Sequence, residues 1–273
     1  GTLTQSGTGA LTLTASSTLG SQTLDVDLTV PNGLSVTTSG TITIASGRAI
    51  TLASTGSATQ LSSNANTTYN GPGSILFGGT SSNNSITTSV GFATLTLGAG
   101  LTVGGASSTR GGTVGSTNFT LFTNNATIDA VTPGQTITVV EATNQSGGVL
   151  RASGGTLTTS NNWSNPAGLI DLQSGVVNLG GAFSNLGTFN RAGGGAAGAL
   201  NLTGTFANAG TFALNSGVGT LNFAGGTING GGTLTQSGTG ALTLTASSTL
   251  GSQTLDVDLT VPNGLSVTTS GTI

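Results

Sequence analysis

The sequence predicts an all-β fold, a parallel β-helix (β-solenoid) whose coils take about 20–23 residues and carry three short strands each. Three observations predict it. Apolar and small polar residues alternate with a period of two, Asn and aromatic residues recur at intervals of twenty-odd positions, and glycine-rich corners punctuate the runs. No stretch shows helical spacing with capping residues.

The strands come first. Leu11-Thr12-Leu13-Thr14, Leu24-Asp25-Val26-Asp27-Leu28, Ala93-Thr94-Leu95-Thr96-Leu97, Thr136-Ile137-Thr138-Val139 and Leu200-Asn201-Leu202 all alternate. Successive side chains of a strand point to opposite faces, so one face is dry and one is wet. Gly, Asn-Gly and Pro31-Asn32-Gly33 separate the runs and supply the positive φ values that corners need.

The coil length follows from the short repeat. Asn178, Asn201 and Asn222 lie 23 and 21 positions apart, and Trp163, Phe183 and Phe206 lie 20 and 23 apart. Both sets are expected to stack as ladders. A charge series has the same spacing: Arg110, Asp129, Arg151, Asp171 and Arg191 follow at intervals of 19, 22, 20 and 20 and alternate in sign. It reads either as a charge ladder that sets coil register or as five charges on a solvated surface. Exposed pairs contribute only about 0–1 kcal/mol each. Register is therefore expected to come mainly from the stacked apolar interior and the Asn and Phe rows. Asp25 and Asp27 precede Arg48 by 23 and 21 positions, the same relation.

A longer repeat encloses the short one. Residues 1–42 recur without a change as residues 232–273, a period of 231. Cores tolerate swaps of similar volume, so no fold requires such identity. The chain is therefore read as one continuous solenoid over 1–273: a 231-residue unit (1–231), then the start of the next (232–273). Eleven coils of about 21 residues would fill the unit, a rod of roughly 50 Å at ~4.8 Å per coil.

Composition removes most other functions. Charged residues make up 4% of the chain, the net charge is −3, and Lys, His, Cys and Met are absent. Nucleic-acid affinity needs clustered Lys and Arg, so no nucleic-acid partner is expected. The apolar runs are short, which leaves no membrane span in this segment. Without His, Cys or Lys the sequence offers no nucleophile–base pair, and it is read as no enzyme, with no cofactor. The one close carboxylate pair, Asp25/Asp27 with its copy Asp256/Asp258, is a weak candidate for a divalent cation. A solvated pair facing Arg48 is the plainer expectation. Thr-x-Thr pairs begin at Thr2, Thr12, Thr41, Thr94 and Thr136, at intervals too uneven to predict an ice-binding array.

Residues 230–261, GGGTLTQSGTGALTLTASSTLGSQTLDVDLTV, resemble the passenger-associated repeat of bacterial autotransporters. Residues 204–232, GTFANAGTFALNSGVGTLNFAGGTINGGG, are similar to repeats of filamentous-haemagglutinin-type β-helical adhesins. The likeness covers 1–42 and 163–273, and residues 43–162 by composition only. It implies a right-handed coil, bacterial secretion, and a role in adhesion or surface display. The family's membrane barrel and secretion domain are not in this sequence, so the export route is open.

The function expected is a structural repeat segment of a long extracellular, cell-surface fibre or sheath filament. Its partners would be further copies of itself, as covalent tandem repeats and by lateral or end-to-end packing. The alternative is the stalk of a bacterial adhesin, with ligand contacts on loops at 53–90, which carries Tyr69, and at 105–127. An ice-binding solenoid is a third reading.

Overall fold

The computed structural model describes residues 1–191 and 198–273. Among them are 34 strands and no helix, and every strand pairing is parallel. The chain winds as a solenoid of about twelve turns with three faces per coil. One face is an unbroken column of twelve strands from Ser17–Leu19 to Leu259–Thr260. A second face stacks nine strands from Leu11–Thr12 to Thr188–Arg191. The third runs through Tyr69, Leu97, Asn124 and Asn144.

The core is a set of like-on-like rows. On the second face Leu11, Leu28, Ile50, Ile75, Val103, Ile128, Leu150, Ile170 and Phe189 lie one above another. On the first face Ile137, Leu157, Val177, Leu200, Leu221, Leu242 and Leu259 do the same. The alternation puts these residues inside because a parallel strand pair shares one register, so equivalent side chains meet across each pair.

Coil length is less even than the short repeat suggests. Along the first face Val36, Leu61, Ile86, Val114 and Val139 are 25, 25, 28 and 25 positions apart. From Ile137 to Leu242 the steps are 20, 20, 23, 21 and 21. Eleven equal coils in each long repeat are thus corrected to fewer, of which several are wider. The wide coils take in most of residues 53–90, and here the expectation of projecting loops fails. Thr59–Asn70, Ser74–Gly79 and Asn84–Thr88 are strands, and Tyr69 is fully buried. Its hydroxyl is 2.7 Å from Thr38 Oγ1, and burial pushes its phenol pKa up. The extra residues widen the interior enough to hold a phenol and its hydroxyl partners.

The repeated segment folds alike at both ends. Thr2, Leu3 and Thr4 pair with Thr23, Leu24 and Asp25, as Thr233, Leu234 and Thr235 pair with Thr254, Leu255 and Asp256. The next two strands of each copy also share their register.

Corners stack too. Glu141, Asn161 and Gly181 turn the same corner in successive coils with φ of 57°, 57° and 68°. Only Gly adopts this region without a Cβ penalty, about 1 kcal/mol for other residues. Glu141→Gly is therefore expected to stabilise the fold by about 1 kcal/mol, read as a higher thermal midpoint. Leu150→Ala, which cuts a buried row, is expected to cost about 2–5 kcal/mol in chemical denaturation.

Candidate functional site

The chemistry-bearing side chains gather in columns along the rod. Asn178, Asn201 and Asn222 lie in register on adjacent coils, facing outward. The amide of Asn222 donates to Asn201 Oδ1 at 2.8 Å, Asn201 donates to Asn178 Oδ1 at 2.8 Å, and Asn178 donates to Thr158 Oγ1 at 3.2 Å. A side-chain amide carries both a donor and an acceptor, so it can reach one rung up and one rung down.

A second amide ladder lies inside the rod, and the sequence reading missed it. Asn124, Asn144 and Asn165 are fully buried. Asn124 donates to Asn144 Oδ1 at 2.7 Å, Asn144 to Asn165 Oδ1 at 2.9 Å, and Asn165 to the Leu186 carbonyl at 2.6 Å. The signal was available: these asparagines are 20 and 21 positions apart. Asn144 Nδ2 also reaches the Gly148 carbonyl at 3.2 Å. Such bonds answer the desolvation cost of burying an amide.

Trp163, Phe183 and Phe206 form an interior aromatic stack with ring centroids 4.6 and 5.3 Å apart. The indole Nε1–H donates to the Gly180 carbonyl at 2.7 Å, so the one polar atom of the stack is satisfied.

The charge series divides. Asp129, Arg151 and Asp171 occupy one column, with Arg151 2.7 Å from Asp171 and 3.9 Å from Asp129. The rung below Asp129 is Gly104, and Arg110 lies elsewhere, donating to the Thr109 carbonyl. The rung above Asp171 is Asn190, which donates to it at 2.8 Å. Arg191 pairs with Leu172 instead and donates to the carbonyls of Val218, Gly198 and Thr220. Burial lowers its pKa. Burial also dominates at Asp129 and pushes its carboxyl up, outweighing the Ser153 hydroxyl at 2.8 Å and the distant Arg151.

Asp25 and Asp27 both face Arg48, at 2.9 and 3.7 Å. Among the described residues no group of three or more His, Cys, Asp or Glu comes together. Thr41, Thr68, Thr96, Thr123 and Thr143 do align across five coils, a column that uneven coil length hid from interval counting. It is a single file, because the neighbouring outward position pairs Thr94 with Leu121.

Compared with known protein families, curated proteins and solved structures, the chain matches none. The fold and its columns themselves define a class, a β-helical repeat protein whose coils are fixed by stacked side chains.

Asn144→Leu is expected to orphan buried partners at about 1–3 kcal/mol each, whereas Asn201→Leu on the outer ladder costs about 1 kcal/mol. Urea titration of both variants measures the contrast. Asp129 binds its proton more tightly folded than unfolded, so its stabilising contribution is complete below the unfolded pKa and is lost as pH rises through the folded one. Thermal scans of Asp129→Asn between acid and neutral pH are expected to show that part of the decline removed.

Proposed function

We propose that this chain is a structural repeat segment of a long extracellular surface fibre, non-enzymatic, with further copies of itself as its partners. One observation carries the reading. The repeated segment exposes Leu3 and Leu11 (40% and 37%) in its first copy, while the second copy buries Leu234 and Leu242 (0% and 4%). What covers them is the preceding coil, through Phe212 on Leu234 and Leu221 on Leu242. The same segment thus seats on a preceding coil in its second copy, as successive units of a tandem array would.

Composition supports an exposed location. The absence of Lys and the scarcity of Arg leave few sites for trypsin-like cleavage, and low charge lets rods approach one another with little repulsion. The likeness to autotransporter and haemagglutinin-type repeats supports the surface of a bacterium. A second reading, the adhesin stalk, draws on Leu121 within 105–127, 50% exposed, and on Phe92 just beyond 53–90, 91% exposed, in place of Tyr69.

Electron microscopy of purified cell-surface material tests the first reading. Continuous rods with a unit spacing of ~50 Å are expected, and beaded chains of separate domains would count against it. If the stalk reading holds instead, Phe92→Ser lowers attachment to a surface without changing rod length.

A further inference from the structure

The two identical copies of the repeated segment share their pairing register but not their face. Ser17–Leu19 begins the twelve-strand column, and ten pairings up that column lead to Ala241–Ala246. That strand is the copy of the segment around Leu11–Thr12, not of Ser17–Leu19. The copy of Ser17–Leu19 is Ser248–Leu250, the next strand along the chain and one face further round. The second copy of Leu11–Thr12 has likewise moved from the nine-stranded column to the first face. One full period of the long repeat therefore advances ten coils and one face of three.

The wide coils cause this. Eleven equal coils would divide the period evenly and return each strand to its own face. The steps of 25 to 28 positions between Val36 and Val139 use up two further faces' worth of chain.

We infer that in a tandem array each unit is turned by one face relative to the unit before it, so that identical surfaces point to three sides in succession and return to the first side only after three units. This rests on the tandem reading above. Three units make 31 coils, so a unit spacing of roughly 50 Å sits within a true repeat of roughly 150 Å. The cluster of Asp25, Asp27 and Arg48, like any other contact made by one face, is then offered three ways around the rod. The partner this suits is a second copy of the rod on each of three sides, a three-directional bundle and not a flat ribbon.

Helical electron cryomicroscopy of six long-repeat units in series, closed by residues 232–273, tests the inference. Each junction of that chain reproduces residues 1–273 intact. Ten and a third coils per unit, with layer lines indexing on ~150 Å, are expected. A whole number of coils per unit, every unit showing the same face, overturns the turn between units and leaves the tandem rod standing. Separate globules without continuous coils overturn the tandem reading itself. In the chain of residues 1–273, spin labels at Ser16→Cys and Thr243→Cys are expected to lie roughly 48 Å apart, ten coils up one column. The pair Ser16→Cys and Ser247→Cys is expected to be further apart, and the opposite order overturns the inference.

Discussion

Parallel backbone pairing that runs along the rod, one coil to the next, is the constraint on which the rest of the structure depends. Each coil uses the one before it as a template, so equivalent side chains are brought together whether or not they are well matched. Where they match, the contact repeats many times over. The nine-membered row from Leu11 to Phe189 and the Asn178–Asn201–Asn222 ladder are both products of this single geometric rule. Stability then accumulates between neighbouring coils and not through one central core.

Polar groups fit into this scheme when they can bond along the same direction as the backbone. The buried amides of Asn124, Asn144 and Asn165 hand their bonds from rung to rung. Tyr69 solves the same problem differently, by meeting Thr38 and Ser63 in a wider coil. The outer charges follow suit only where the column permits, as at Asp129, Arg151 and Asp171. A carboxylate largely withdrawn from water, such as Asp129, gains less from its partners than it loses by burial.

The all-β parallel coil was legible from alternation and from the regular spacing near the C-terminal side, where successive rungs stay 20 to 23 positions apart. There, equal intervals and equal positions on the coil coincide, and the Asn and aromatic columns follow directly. Between Val36 and Val139 the two part company, because extra residues enter within a coil without interrupting its strands. Interval counting therefore read Tyr69 as a loop residue and overlooked the aligned threonines. It also grouped Arg110 and Arg191 with charges from which the coil separates them, because spacing alone cannot distinguish a rung from its neighbour. The inner amides had the right spacing, but nothing in the alternation marks an Asn as facing inward.

The lengthwise direction of the hydrogen bonds has a mechanical consequence. The covalent chain circles the axis, so tension applied to the two ends is borne by the bonds between coils, loaded in sequence from the end under strain. Such a rod yields by peeling. Each coil that detaches frees about 20 to 28 residues of chain, a length of roughly 70–95 Å when drawn out, so slack is released in steps while the remainder keeps its shape.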